Sequence, residues 1–184
     1  RGDKDGKVRN EGNRLMSKLT SKANVSQDEV SQELEPVFEF LDDSFAILSK
    51  SLYYSVFKRL VKMLWAALAH LLEDVLLPHA EKHIMKGDQI AKFLCIEVAL
   101  KDYFTYDGES LPENLALETL HTHQLVAASL TKTSHEVIDI LEGISNHSSK
   151  EYRLLTRLLI LRSDNKDHEA RNWLKKQDLG LQTK

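Results

Sequence analysis

Apolar residues recur at helical spacing through a long central part of the chain, where residues 37–77 contain neither Gly nor Pro. A single helix over this segment would span about 60 Å at 1.5 Å per residue. The pattern also fits two abutting helices, with a kink near residues 49–51. Residues 60–77 have few polar positions, so we expect them near the centre of a bundle. One apolar line repeats every seven residues (Phe40, Ile47, Tyr54, Val61, Leu68, Val75), and a second adjoins it (Tyr53, Phe57, Leu60, Leu64, Ala67, Leu71).

Capping signals predict where the other helices begin. Ser26-Gln27-Asp28-Glu29 is a capping box that opens a short helix over residues 27–34. Similar starts occur at Ser110-Leu111-Pro112-Glu113 and at Ser148-Ser149-Lys150-Glu151, and Asp164 is expected to cap the last helix. We therefore predict further helices at residues 36–77, 88–104, 112–142, 149–162 and 164–177, with Gly143 ending the fourth of the six. That helix carries its own apolar stripe, which comprises Val126, Leu130, Val137, Leu141 and Ile144.

These elements predict an all-α fold, an elongated antiparallel bundle of about five to six helices with long central helices. No segment shows the period-two alternation of a strand. We assign residues 26–178 to the bundle and residues 179–184 to a tail. Residues 1–25 contain three Gly, many charges and little apolar content, which indicates a flexible leader or a linker remnant. The chain starts with Arg1 rather than Met, so we expect it to be a piece of a longer protein.

Composition narrows the class of protein. The 184 residues are 42% hydrophobic and 29% charged, as in ordinary soluble domains, and the net charge of -3 gives no reason to expect nucleic acid as a partner. Cys95 is the one cysteine, so the chain forms no internal disulfide, which fits a cytoplasmic, reducing compartment. The longest apolar run near the middle, residues 63–69, is far shorter than the ~20 residues of a membrane span.

The histidines are the first candidates for chemistry. His79 and His83 flank Glu81, but a zincin motif needs Glu directly after the first His, on a helix. His121 and His123 are two residues apart and therefore point to different faces of a helix. We interpret all of them as solvated surface residues and predict no metal.

Nothing else in the sequence indicates catalysis. Cys95 lies within an apolar helical pattern, which favours a buried, inert thiol. No nucleophile elbow, phosphate-binding Gly loop or dinucleotide fingerprint occurs. We therefore predict a chain that is not an enzyme, has no cofactor and no small-molecule substrate, and encloses no reactive pocket.

An acidic segment offers the first candidate binding surface. Residues 28–49 contain seven acids and neither Lys nor Arg. This pattern is typical of a solvated acidic face, and it also fits docking of a basic partner segment or a neighbouring domain. The candidate residues are Glu35, Glu39, Asp42 and Asp43.

A basic segment offers the second candidate. Lys150, Arg153 and Arg157 fall on one side of a predicted helix whose other side is Leu-rich, and Arg162 follows them. One interpretation is an amphipathic helix that covers the bundle. The other is contact with anionic lipid or an acidic helix, because each Lys or Arg near such a membrane adds about 1 kcal/mol.

Several segments resemble the C-terminal half of MUN domains, which belong to the Munc-thirteen-like vesicle-priming and tethering family. The resemblance covers about residues 34–174. It is carried by Leu34-Glu35-Pro36, Leu41-Asp42-Asp43-Ser44-Phe45-Ala46-Ile47-Leu48, Leu64-Trp65 and Leu76-Leu77-Pro78, by Leu100-Lys101-Asp102-Tyr103-Phe104 and Asp107-Gly108-Glu109-Ser110-Leu111-Pro112, and, as in fungal-type members, by residues 157–164 and 170–174.

The resemblance implies a stack of helical bundles related to the subunits of vesicle-tethering complexes. It implies a non-enzymatic module in exocytosis that bridges membranes and assists SNARE assembly, peripheral at the plasma membrane or vesicles. The family has no catalytic residues to transfer. Two alternatives remain open: a signalling, cytoskeletal or cytokinesis scaffold built on the same bundle, and a helical module that binds anionic lipid.

Overall fold

Seven helices make up most of the residues that the computed structural model describes, which are 25–78, 84–106 and 111–182, with side chains up to Gln177. No strand occurs within these ranges, so the all-α prediction is confirmed. Residues 1–24 of the predicted leader, the turn at Asp107-Gly108, the cap at Ser110 and the His79–His83 motif lie outside them. The helices are α1 (Gln27–Ser51), α2 (Tyr54–Leu76), α3 (Gly87–Thr105), α4 (Glu113–Leu130), α5 (Ser134–Glu142), α6 (Lys150–Asp164) and α7 (His168–Gln182).

Helix α1 begins where the sequence predicts but continues much further. Ser26 caps it, and its hydroxyl accepts a hydrogen bond from the N–H of Asp28 at 3.2 Å. The predicted end before Pro36 is wrong, because Pro36 lies inside the helix. Both Pro36 and Gln32, whose carbonyl loses its donor, are exposed, so water can satisfy that carbonyl.

The long apolar segment forms two helices, which confirms the second of the two predicted alternatives. Leu52 and Tyr53 adopt extended backbone between α1 and α2. The hydroxyls of Ser49 and Ser51 donate to the carbonyls of Ala46 and Ile47, at 3.3 and 2.9 Å, in the turn before the break. Side chains that bond to nearby carbonyls in this way weaken the end of a helix.

The seven-residue repeat is not the buried stripe that the sequence suggested. Phe40 is 69% exposed and Ile47 is 67% exposed, whereas Val61 is buried. A seven-residue repeat drifts by about 20° per repeat around a straight helix, and the break at Leu52 interrupts the phase as well. The prediction that residues 60–77 lie near the centre holds for one face only, since Val61, Trp65, Ala69, Leu76 and Leu77 are buried but Met63, Leu71 and Val75 are exposed.

The predicted helix over residues 112–142 is divided into α4 and α5. Thr133 begins α5 with a reciprocal capping box: its hydroxyl accepts from the N–H of Glu136 at 3.3 Å, and the Glu136 carboxylate accepts from the N–H of Thr133 at 2.7 Å. Gly143 ends α5 as predicted. The predicted apolar stripe is confirmed, with Val126, Leu130, Val137 and Leu141 buried and Ile144 half-buried.

The last two helices have well-defined starts. Ser149 caps α6, and its hydroxyl accepts from the N–H of Tyr152 at 3.1 Å. The cap of α7 is Asp167 rather than the predicted Asp164, because the Asp167 carboxylate accepts from the N–H of Ala170 at 3.1 Å.

Two apolar clusters form the core. The larger one joins the end of α2 with helices α3 to α7. The smaller one lies where α1, α2 and α3 meet the start of α4, around Trp65 and Phe104. Cys95 is buried, as predicted, and burial raises the pKa of its thiol. The smaller cluster is flanked by half-buried aromatic rings of α1 and α2, and these rings border the cleft described next.

Candidate functional site

A cleft of about 870 Å³ lies between α1, the first turns of α2 and the second half of α3. The sequence predicted no enclosed pocket, so this cleft is a finding of the structure. Its volume falls in the usual range of ligand sites, about 300–1,000 Å³. Its lining comprises Gln27, Ser31, Phe38, Asp42, Phe45, Ala46, Ser49, Tyr54, Phe57, Lys58, Ala99, Asp102, Tyr103, Phe104 and Tyr106.

Aromatic rings form much of the cleft. Phe38 of α1 stacks on Tyr103 of α3 with 4.6 Å between ring centroids. Phe45 meets the edge of Phe57 at 5.7 Å and that of Phe104 at 6.2 Å. Such contacts each add about 0.5–1.5 kcal/mol beyond burial of area, so the rings are held in place before any partner arrives.

The predicted acidic face lies on α1 beside this cleft. Glu35, Glu39, Asp42 and Asp43 are all exposed. Asp42 lines the cleft and accepts a hydrogen bond from the hydroxyl of Tyr103 at 2.7 Å. Burial and this bond raise the pKa of Tyr103, so the phenol stays protonated.

The predicted basic face does not form one exposed surface. Arg162 is buried, and it donates to the carbonyls of Ser129, Leu130 and Lys132 at the end of α4. Arg162 therefore acts as a C-terminal cap inside the bundle.

The other three members of the basic face also differ in their surroundings. Arg157 donates to Asp74 at 3.1 Å, and Lys150 pairs with Glu73. Arg153 is exposed. Two of these residues therefore bind acids of α2, which the sequence pattern could not indicate.

A buried polar cluster joins α2, α3 and α4 to the start of α6. His123 has no exposed surface and Glu97 is 2% exposed. Nδ1 of His123 pairs with Glu97, and Nε2 lies 3.4 Å from the carboxylate of Glu73. Lys150 completes the chain of contacts by its pair with Glu73.

The surroundings shift the pKa values of Glu97 and Glu73 in opposite directions. Burial raises the pKa of Glu97, although the hydrogen bond and charge of His123 and the charge of Lys150 oppose it. Burial also acts on Glu73, but there the bonds and charges of Lys150 and His123 prevail and lower its pKa. The second oxygen of Glu97 is buried without a hydrogen-bond partner. Loss of His123 would therefore leave neither oxygen of Glu97 with a hydrogen-bond partner.

The interpretation of His123 as a surface residue is wrong. His123 shares a helix face with the buried Ala116, Val126 and Leu130, at spacings of seven, three and seven residues. Glu97 likewise lies three or four residues from the buried Phe93 and Leu100. A polar residue between apolar residues at helical spacing was therefore the available signal.

The buried cluster does not offer a metal site. The two nitrogens of His123 contact carboxylates on opposite edges of one ring, so the three side chains do not converge on a point. In the part of the chain that the structure describes, no group of three His, Cys, Asp or Glu could hold a metal ion. His79, Glu81 and His83 lie outside that part.

Large apolar side chains are exposed on both α1 and α2. Val37, Phe40 and Ile47 lie at helical spacing along α1, and Val56, Met63, Leu71 and Val75 are exposed on α2. We call these residues the outer apolar face. Exposed apolar residues at helical spacing are the kind of anchor to which an amphipathic partner helix binds.

Comparisons with known proteins give no relative for this chain. No protein-family model matches it. Searches of curated proteins and of solved structures found no match either. None of the helices in the described ranges combines the length and apolar character that crossing a bilayer requires.

Proposed function

We propose that this chain is a non-enzymatic helical interaction module of a vesicle tethering or priming factor, and that it acts in exocytosis at the cytoplasmic side of the plasma membrane or of vesicles. Its partners are helical segments of SNARE proteins or of other tethering factors. The resemblance to MUN domains suggests the pathway. The observation that carries the interaction role is the outer apolar face.

The outer apolar face supports this role because its side chains have the size and spacing of binding anchors. Phe40 and Ile47 lie seven residues apart and expose more than half of their surface. A partner helix binds such a face by inserting its own apolar residues at positions i, i+3, i+4 and i+7.

The scaffold alternative uses the same surface and differs only in the partner. The lipid alternative needs exposed basic residues, and it is weakened because Arg162 is buried and Lys150 and Arg157 pair with acids. The vesicle assignment is thus tested against the scaffold assignment by the identity of the partner.

The direct test is capture of purified cytosolic SNARE segments by the full chain. We expect capture, and we expect the double variant Phe40→Gln/Ile47→Gln to weaken it by about tenfold or more, as loss of apolar anchors does in other interfaces. Ile160→Gln is the matched control, because Ile160 is also exposed but lies on α6. Circular dichroism should show unchanged helix content for both variants.

Absence of capture by the unaltered chain would refute the SNARE assignment and favour the scaffold. Equal capture by the double variant would refute the outer apolar face as the binding surface. Proximity labelling by this protein in its own cells would report the compartment, and labelling confined to cytoskeletal proteins would exclude the vesicle assignment.

A further inference from the structure

We infer that the cleft between α1, α2 and α3 binds a basic amphipathic helix, one that presents Lys or Arg beside apolar anchors. The inference rests on the proposed interaction role and adds a second surface with a defined class of partner. It concerns a different side of α1 from the outer apolar face, because Phe38, Asp42 and Phe45 line the cleft whereas Phe40 and Ile47 do not.

Charge is the first argument for a basic partner. Glu35, Glu39 and Asp42 follow each other at spacings of four and three residues, so they form one row beside the cleft. Within the described residues, neither Glu35 nor Glu39 forms an ion pair. Glu33 differs, because Lys92 of α3 pairs with it at 2.6 Å. The charge of the row is therefore not neutralised within the bundle, and it is directed to solvent.

The spacing of this row favours a helix over a single small cation. Side chains three or four residues apart lie about 5–6 Å from each other on a helix surface. A helix that lies along α1 presents Lys or Arg with the same repeat, so successive basic residues meet Glu35, Glu39 and Asp42. A single small cation could not reach all three carboxylates, because Glu35 and Asp42 are seven residues, about 10 Å, apart along the helix axis.

The aromatic rings supply the second half of the site. Phe38, Phe45 and Phe57 are half-buried, and Tyr106 is exposed at the end of α3. Rings of this kind accept apolar anchors and the stems of Lys or Arg. The ring of Tyr54 already holds a cation, since the ammonium of Lys58 lies 4.5 Å from its centroid.

The same features argue against two other occupants. An anionic lipid surface would meet a row of carboxylates. The basic helix α6 of a second copy is a poor occupant, because its Lys150, Arg157 and Arg162 are engaged within the bundle. Residues 1–24 carry seven Lys or Arg and three Asp or Glu. This basic segment of the same chain is a rival occupant of the cleft, and the test must distinguish it from a partner helix.

The test measures binding of labelled peptides to the full chain by fluorescence anisotropy. The probe is an 18-residue helical peptide with Lys at every third or fourth position and Leu or Phe on the adjoining face. The reference peptide has the same apolar residues and Glu in place of Lys. We expect the Lys peptide to bind at least about tenfold more tightly than the Glu peptide, with affinity that falls as salt rises.

Two variants locate the site. Glu35→Lys/Glu39→Lys should weaken binding by about tenfold, because two attractions become repulsions, while Glu118→Lys/Glu142→Lys makes the same charge change at other exposed positions and should alter binding less than about twofold. Ala46→Trp fills the cleft from an exposed position on α1 and should weaken binding without loss of helix content.

Three results would overturn the inference: equal binding of the Lys and Glu peptides, unchanged binding in Glu35→Lys/Glu39→Lys, or unchanged binding in Ala46→Trp. If the Lys peptide binds only when Arg14, Lys18 and Lys22 are replaced by Glu in the full chain, the occupant is the chain's own segment and the partner assignment fails. Peptide binding without SNARE capture would refute the vesicle assignment while leaving the cleft assignment intact.

Discussion

Replacement of His123 by Leu should destabilise the fold in a pH-dependent way. The side chain of His123 is wholly buried and pairs with the buried Glu97, whose other oxygen already has no partner. Leu has a volume close to that of His, so the variant leaves little cavity. What changes is that Glu97 becomes a buried carboxylate with neither oxygen bonded.

The size of the effect follows from the cost of an isolated buried charge. Removal of one partner of a buried pair typically lowers the free energy of unfolding by about 3–5 kcal/mol. In a chain of this size each kcal/mol shifts Tm by about 2–4 °C, so the variant should melt roughly 10 °C lower near neutral pH.

The pKa of Glu97 determines how the stability loss of the variant changes with pH. Burial raises the pKa of Glu97 above the unfolded value of 4.5, so stability falls as pH rises from that value through the folded-state pKa. His123 opposes the shift. Without His123 the folded-state pKa of Glu97 rises further, and the range of pH over which stability is lost becomes wider. The deficit of the variant should therefore be small near about pH 5 and large near about pH 8.

The assay is urea unfolding followed by circular dichroism at both pH values, with Glu97→Met/His123→Leu as the matched variant. Replacing both buried polar groups by apolar ones removes the stranded charge, so this double variant should recover to within about 1–2 kcal/mol of the unaltered chain. A deficit that is the same at both pH values, or equal in the single and double variants, would show that lost packing and not the Glu97 charge causes it.

Three further predictions follow from other polar contacts. Lys150→Met should lower the free energy of unfolding by about 1–2 kcal/mol near neutral pH. Because Lys150 helps to lower the pKa of Glu73, this loss should fade as pH drops below 4.5, and urea unfolding at a series of acid pH values measures it. Arg162→Met should cost about 3 kcal/mol in urea unfolding, with no rescue by Lys, because a Lys ammonium lacks the planar fork that reaches several carbonyls. Tyr103→Phe should cost only about 0.5–1.5 kcal/mol by the same assay, since its bond to Asp42 lies at the surface.

The helices themselves could be predicted because their signals are local. Ser26 and Ser149 cap helices in the structure, and the division of α4 from α5 was also readable as Thr133-Ser134-His135-Glu136, although that signal was missed. Pro36 misled the prediction because part of the cost of an internal Pro depends on whether water reaches the carbonyl that loses its donor, here that of Gln32. Whether water reaches it depends on the tertiary packing of the helix, which the sequence does not show.

The candidate sites were harder to predict because they depend on which helices meet. The acidic row on α1 is visible in the sequence, but the aromatic cleft beside it requires α3 and α2 to bring Tyr103 and Phe57 next to Phe45. The pairing of Glu97 with His123 joins residues that are 26 positions apart. The sequence pattern placed Lys150 on a basic helix but could not indicate that Glu73 of α2 pairs with it.

Helix α1 is packed less deeply than the helices that share the larger core. Helices α3 to α7 share the larger core, and Arg162 fastens α6 to the end of α4 through three carbonyls. Helix α1 contributes one fully buried side chain, Val30, and otherwise rests on half-buried aromatic contacts. Both proposed binding surfaces include α1. A helix that is ordered but incompletely buried can gain apolar contacts from a partner without unfolding the core, and this is why α1 rather than the basic helix α6 is the better candidate for recognition.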